Sequence, residues 1–172
     1  QTIGVKNNSA QPMFIQLYLQ GVPGTIALEA ISDNLQLQLR YSGMDGKTLD
    51  PSSLRQGTQF IAEITVRHPG IRSNYQQLAL TSLFPSGWEI LNSRLDEVQS
   101  GSTASDAADY QDLRDDRVYT YFSLEKGGQK TFRFLLQAAY PGRFYFPTVQ
   151  CEAMYDRTVR AYSESRWVEV VR

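Results

Sequence analysis

One cysteine and one histidine are all that these 172 residues offer to thiol or imidazole chemistry. A lone Cys151 excludes an internal disulfide and says nothing about compartment. A nucleophilic triad needs a base and an orienter beside its Ser or Cys. The single candidate base, His68, stands at a strand end before Pro69 and reads as a solvated turn residue. Zinc needs three or four nitrogen or sulfur ligands, more than one His and one Cys supply. No glycine-rich loop follows a strand and opens a helix, so nucleotide binding has no warrant. Neither enzymatic activity nor a cofactor is therefore expected. Charge of one sign is also missing: 17 basic against 18 acidic residues leave a net charge of −1, so nothing basic argues for nucleic acid or an anionic membrane. No apolar run approaches the roughly 20 residues of a membrane-spanning helix, and no direct membrane insertion is expected. No signal peptide is legible. Gln1 opens directly into strand-like sequence, so the N-terminus reads as a processed end or an artificial boundary. No internal repeat, low-complexity tract or convincing helical period is present.

What is present is an ordinary globular composition, 41% hydrophobic and 20% charged, long enough for one well-buried domain with a small appendage. Ten Tyr and eight Phe suit pleated, half-buried surfaces. Thr2–Lys6 and Met13–Leu19 read as two short strands, the second apolar enough to be covered on both faces. Residues 21–34 read as a linker. Leu35, Leu37, Leu39 and Tyr41 alternate with Gln36, Gln38 and Arg40, the period of a strand with one wet face. Phe60, Ala62, Ile64 and Val66 repeat that pattern against Ile61, Glu63, Thr65 and Arg67. The Asp45-Gly46 turn and an extended loop over 49–57 separate the two. Gln76–Phe84 is a third strand, and Pro85-Ser86-Gly87 turns it into Trp88–Ile90. Residues 93–111 read as a long loop with one helical turn. Val118–Leu124 and Thr131–Ala138 flank a Gly-Gly turn and read as an antiparallel hairpin. Ala139–Phe146 reads as strand, Pro-Gly turn and aromatic strand, and Arg166–Val171 is the last strand. Strands at this spacing with Gly/Pro turns predict an all-β, immunoglobulin-like antiparallel sandwich.

Three clusters are candidates for more than structure. Asp109, Asp112, Asp115 and Asp116 have the oxygen chemistry of a calcium site. However, Arg114 and Arg117 sit inside the run and favour ion pairs that staple the long loop to the next strand. Cys151 reads as buried and inert. Glu152-Ala153-Met154-Tyr155-Asp156 has no strand pattern and reads as a loop. Adjacent Met154 and Tyr155 either plug their own core or offer a contact surface to a partner.

Three segments in order resemble a known family. Phe84-Pro85-Ser86-Gly87-Trp88-Glu89-Ile90-Leu91-Asn92 resembles the Leu-Pro-Ala-Gly-Phe-Glu-Ile-Glu-Asn segment of bacterial α2-macroglobulins. Asp112-Leu113-Arg114-Asp115-Asp116-Arg117-Val118 resembles their Asp-Ile-Arg-Asp-Asp-Arg-Val. Tyr140-Pro141-Gly142-Arg143-Phe144, Pro147 and Glu152–Asp156 resemble their terminal Pro-Gly-x-Phe…Pro…Glu-Ala-Met-Tyr-Asp block. The resemblance implies a C-terminal macroglobulin domain, the bacterial counterpart of the receptor-binding domain, over residues 33–172. Residues 1–30 would be the tail of a preceding CUB-like domain. It further implies a fragment of a broad-spectrum protease trap, periplasmic or in the cell envelope, with a parent that can be a membrane-anchored lipoprotein. Its partners would be the thioester and CUB-like domains of the same polypeptide and, indirectly, target proteases. By the same resemblance Met154 and Tyr155 would shield a thioester from water.

The chain departs from the family pattern at Thr148, where Pro-Pro is common, and at Arg157, where Pro often follows Met-Tyr-Asp. Both departures loosen the loop. The alternative is an accessory β-sandwich of a secreted system that binds glycan or protein through coplanar exposed aromatics drawn from Tyr119, Tyr121 or Tyr145.

Overall fold

Alternation of apolar and polar residues builds two layers that face each other, as a computed structural model shows for residues 4–9, 11–16, 18, 28–91 and 105–172. One layer is a six-stranded sheet in the order β1 (Ile31–Asp33), β12 (Asp156–Tyr162), β11 (Gln150–Ala153), β5 (Tyr75–Leu83), β8 (Arg117–Leu124) and β7 (Tyr110–Leu113). The other begins with a four-stranded sheet, β2 (Gln36–Gly43), β4 (Gln59–Arg67), β9 (Gln129–Ala138) and β6 (Trp88–Ile90). A three-stranded sheet, β10 (Gly142–Phe146), β13 (Arg166–Val171) and β3 (Ser53–Arg55), continues it. The Gln56 amide donates to Val171 (2.7 Å) and the Gly57 amide to Ala138 (2.7 Å), stitching the two together. Every pairing is antiparallel except β13 with β3. The described residues form no helix.

Strands β2 and β4, both of period 2, pair antiparallel, with Tyr41 opposite Ala62 and Leu37 opposite Val66. Phe60, Ile64, Val66, Leu78, Leu80, Phe122, Phe132 and Leu136 are fully buried between the layers. Removing each such side chain from water contributes about 1.5–3 kcal/mol.

The expected hairpin of Val118–Leu124 with Thr131–Ala138 is not what forms. β8 pairs with β5 and β7, and β9 pairs with β4 and β6. The Glu125–Gly128 turn, with Gly127 at φ +74°, carries the chain from one layer to the other. Phe122 and Phe132 then face each other across the core, 4.9 Å between centroids. Alternation on both sides of a Gly-Gly turn is common to a hairpin and to such an arch, so the pattern alone does not separate them.

Four short strands were also hidden. β3 lies in the expected extended loop, β1 in the expected linker, and β7 at the end of the expected long loop, whose residues 93–104 lie outside the described residues. β12 follows the Met-Tyr pair with only Val159 and Ala161 pointing inward. The Thr2–Lys6 and Met13–Leu19 strands lie partly outside the described residues. The described part of 4–18 forms no strand, and Met13, Phe14, Ile15 and Tyr18 are exposed rather than covered on both faces. Two strands without a second layer cannot bury their apolar side chains. Contact with the sandwich is seen from Leu28, whose amide donates to the Ser165 hydroxyl (2.9 Å) and whose carbonyl accepts the Ser165 amide (3.0 Å).

At one end Tyr41, Phe60, Trp88 and Phe146 form an aromatic cluster. The Tyr41 hydroxyl has no hydrogen-bond partner among the described residues. Burial pushes this phenol up to about 12, against the nearby positive charge of Arg166. Folded Tyr41 thus keeps its proton where the unfolded phenol, near pH 10, loses it. The resulting stability is full below pH 10 and is lost as pH rises to about 12. Denaturation midpoints measured across that window should fall less steeply for Tyr41→Phe than for the wild type.

Candidate functional site

Met154 and Tyr155 are the two-residue tip of the hairpin that joins β11 to β12. Both are exposed, Met154 at 55% and Tyr155 at 83%. They do not fill the core of this chain, which settles that side of the alternative. Their backbone is nonetheless held firmly. β12 carries a bulge, since pairing jumps from Glu152–Arg160 to Ala153–Asp156. Opposite, β5 bulges where Gln77 adopts φ +55°, and its carbonyl accepts the Met154 amide at 3.1 Å. Directly after the tip, Asp156 accepts the Thr158 hydroxyl (2.6 Å) and amide (2.9 Å). Arg72 donates to Asp156 at 3.2 Å and to Thr158 at 2.8 Å. The bonds from Thr158, more than the charge of Arg72, hold the Asp156 carboxyl below the usual carboxylate range. On the flank, the Tyr162 hydroxyl donates to Glu152, and Arg160 pairs with Asp33 at 2.8 Å. The expected loop is therefore a short, braced turn. The bracing residues Arg72, Gln77 and Thr158 carried no sequence signal. Gln77 in the left-handed region is visible only in three dimensions, and Arg72 lies 84 residues from Asp156.

Phe84–Trp88, Asp116 and Tyr140–Phe144, from the same three segments, meet at the opposite end of β5, roughly 23 Å away at 3.3 Å per residue. The Phe84 amide donates to the Asp116 carbonyl (2.9 Å). The Pro85 carbonyl accepts the Trp88 amide (2.9 Å), and the Gly87 carbonyl accepts the amides of Ala139 (2.9 Å) and Tyr140 (3.1 Å). The Phe144 ring lies between Gly87 and Gly142. A Cβ on Gly87 would stand 2.2 Å from that ring, and one on Gly142, at φ +148°, 3.0 Å from it. These turns build that end of the sandwich.

The acidic run forms ion pairs, but not the expected staple. Asp112 bonds Arg114 at 3.0 Å, and Asp116 grips Arg117 through two bonds of 2.8 and 2.7 Å. Partners one or two residues apart cannot tie a long loop to a strand. Instead they stiffen a β7–β8 hairpin closed by the Arg114 amide on the Arg117 carbonyl (2.9 Å), with Asp115 in its turn. Arg117 holds Asp116 ionised below the usual carboxylate range.

His68 overturns its expected role. It is 1% exposed, its ring stacks on Tyr75 at 3.8 Å, Nδ1 accepts the Gly70 amide at 2.8 Å, and Nε2 lies 2.8 Å from the Ser73 carbonyl. That pattern is the neutral Nε2–H tautomer. A His-Pro-Gly stretch looks like a solvated turn, but Pro69 and Gly70 curl the chain around the imidazole. Cys151 is fully buried as expected, and burial pushes its thiol up, away from the reactive thiolate. The aromatics of the glycan-binding alternative, Tyr119, Tyr121 and Tyr145, are half-buried rather than exposed, and Tyr145 meets its neighbour Trp167 at 67° and Tyr121 meets Tyr110 at 34°.

The bacterial α2-macroglobulin MG10 domain model matches residues 35–157. The chain belongs to that family. Among curated relatives, the α2-macroglobulin of Pasteurella multocida is 29% identical over 163 residues, covering 95% of this chain but 8% of its own. That of Escherichia coli K12 is 25% identical over 185 residues, covering 99% of this chain and 11% of its own. Among solved structures, Salmonella α2-macroglobulin reacted with methylamine superposes with a TM-score of 0.75 at 28% identity, covering 88% of this chain and 10% of that one. The chain thus spans about a tenth of the length of these α2-macroglobulins and corresponds to a macroglobulin domain. Its matched residues include Gly87, Gly142, the acidic hairpin and the Met154-Tyr155 tip.

Proposed function

We propose that this chain is a non-catalytic docking module of a protease-trapping α2-macroglobulin, working in the periplasm or cell envelope. Met154 and Tyr155 press against a neighbouring thioester domain and shield its thioester from water. Residues 1–30 belong to a preceding CUB-like domain, which explains why Phe14, 95% exposed, finds no partner among the described residues. The observation that carries the reading is the braced tip. Two large apolar side chains stand in solvent at a turn whose backbone is fixed by Gln77, Arg72 and Thr158. An isolated domain gains nothing from that display. A polarizable thioether beside an aromatic ring excludes the water that would hydrolyse a strained acyl–thiol bond. The relative reacted with methylamine fits a family with an amine-reactive centre.

The test is Met154→Ala with Tyr155→Ala in the native polypeptide. Both side chains are exposed, so the melting temperature of this domain should stay nearly unchanged while amine inactivation of the thioester speeds up at least about tenfold, a shift of about 1.4 kcal/mol. Unchanged inactivation would remove the shielding role, and a large loss of stability would make the pair a structural element of the hairpin rather than a contact surface.

A further inference from the structure

The loop over residues 68–74, between β4 and β5, is built more carefully than a connection needs to be. His68 fills its interior and satisfies both Gly70 and Ser73. The His68 amide donates to Gly128 at 2.9 Å, and Asn74 accepts the Lys126 amide at 2.9 Å, which ties the loop to the arch between β8 and β9. Held from inside, the loop turns Ile71 outward, 74% exposed. The next residue, Arg72, reaches across to Asp156 and Thr158, beside Tyr155. Two separate turns are thereby locked together, and three large exposed apolar side chains gather at one end of the sandwich. Arg157, next along the hairpin, is exposed and has no ion-pair partner among the described residues.

We propose that the 68–74 loop is the second half of the docking surface and presents Ile71 to the same neighbouring domain as Met154 and Tyr155. This rests on the docking function proposed above. The occupant is another domain of the same polypeptide, with an apolar patch facing Ile71, Met154 and Tyr155 and a carboxylate near Arg157. A chain covering 8% of its Pasteurella relative leaves ample polypeptide to supply it. Covalent linkage raises the effective concentration of such a partner, so a small apolar patch suffices.

The experiment is hydroxyl-radical labelling of the native polypeptide that contains this chain, wild type against Ile71→Asp, with oxidation of Met154 and Tyr155 read by mass spectrometry. Ile71 is exposed, so the substitution leaves the melting temperature of the domain unchanged. The expected result is slow labelling of the tip in the wild type and at least about tenfold faster labelling in Ile71→Asp, since a tenfold shift in docking takes only about 1.4 kcal/mol. Slow labelling that Ile71→Asp does not change would overturn the role of the loop and leave the docked tip standing. Fast labelling already in the wild type would overturn both. Protection that fades on dilution would assign the surface to a second copy and overturn the intramolecular partner.

Discussion

Gly87→Ala should destabilise the chain by about 3 kcal/mol, at the upper end of the usual cost of overpacking, lowering the melting temperature by roughly 6–12 °C for a domain of this size. The added methyl would stand 2.2 Å from the Phe144 ring, well inside van der Waals contact. The ring has no room to retreat, because Gly142 lies against it with 3.0 Å to its own absent Cβ. The Gly87 backbone cannot retreat either, since its carbonyl accepts two amides from the turn before β10. A clash with a side chain, unlike one with backbone, can be relieved by trimming that side chain. Phe144→Ala in the Gly87→Ala background should therefore cost less than the two single changes added together, a coupling that a double-mutant cycle measures. Gly4→Ala, with nothing within 4 Å of its added methyl, is the control. A Gly87→Ala protein that melts with the wild type would show that Phe144 does not sit where it is described.

His68→Ala is expected to cost a similar amount, about 3–4 kcal/mol. The Gly70 amide and the Ser73 carbonyl, on residues that reach solvent, each lose a hydrogen bond at about 1 kcal/mol, and a stacked ring leaves a cavity under Tyr75. His68→Phe separates the two parts, because it keeps the ring against Tyr75 and loses only the hydrogen bonds. Its melting temperature should lie between those of His68→Ala and the wild type. A solvated turn histidine would give changes within about 0.5 kcal/mol for both.

Local rules made the period-2 strands legible. The inward faces of β2 and β4 follow from the alternation in Leu35–Tyr41 and Phe60–Arg67, whereas their pairing with each other is a product of the fold. The turn glycines were also legible, though their reason was not. Gly87 and Gly142 are required by one ring, Phe144, which neither of them neighbours in sequence. What the chain concealed was non-local. Whether Glu125–Gln129 closes a hairpin or an arch depends on which strands claim the edges of β8, and β5 and β7 claim both. β12 was concealed because a bulge at Arg157–Val159 breaks its alternation before two small inward residues appear. His68 was misread because a turn residue and a core residue share the same neighbours, Pro69 and Gly70, until the loop is closed around the ring. At the candidate site the pair itself was visible as an odd juxtaposition of Met154 and Tyr155. Its bracing by Arg72, Gln77 and Thr158 is a product of the fold.

The central claim is that the exposed Met154-Tyr155 tip gates a reactive thioester elsewhere in a far larger molecule. The most direct measurement is the intact mass of the native polypeptide, recorded with and without methylamine. The account predicts a polypeptide many times longer than 172 residues that gains a single methylamine, and gains it faster once Met154 and Tyr155 are both alanine. A polypeptide that takes up no methylamine would contradict it and leave the tip a structural contact. One no longer than this chain would leave the tip with nothing to gate.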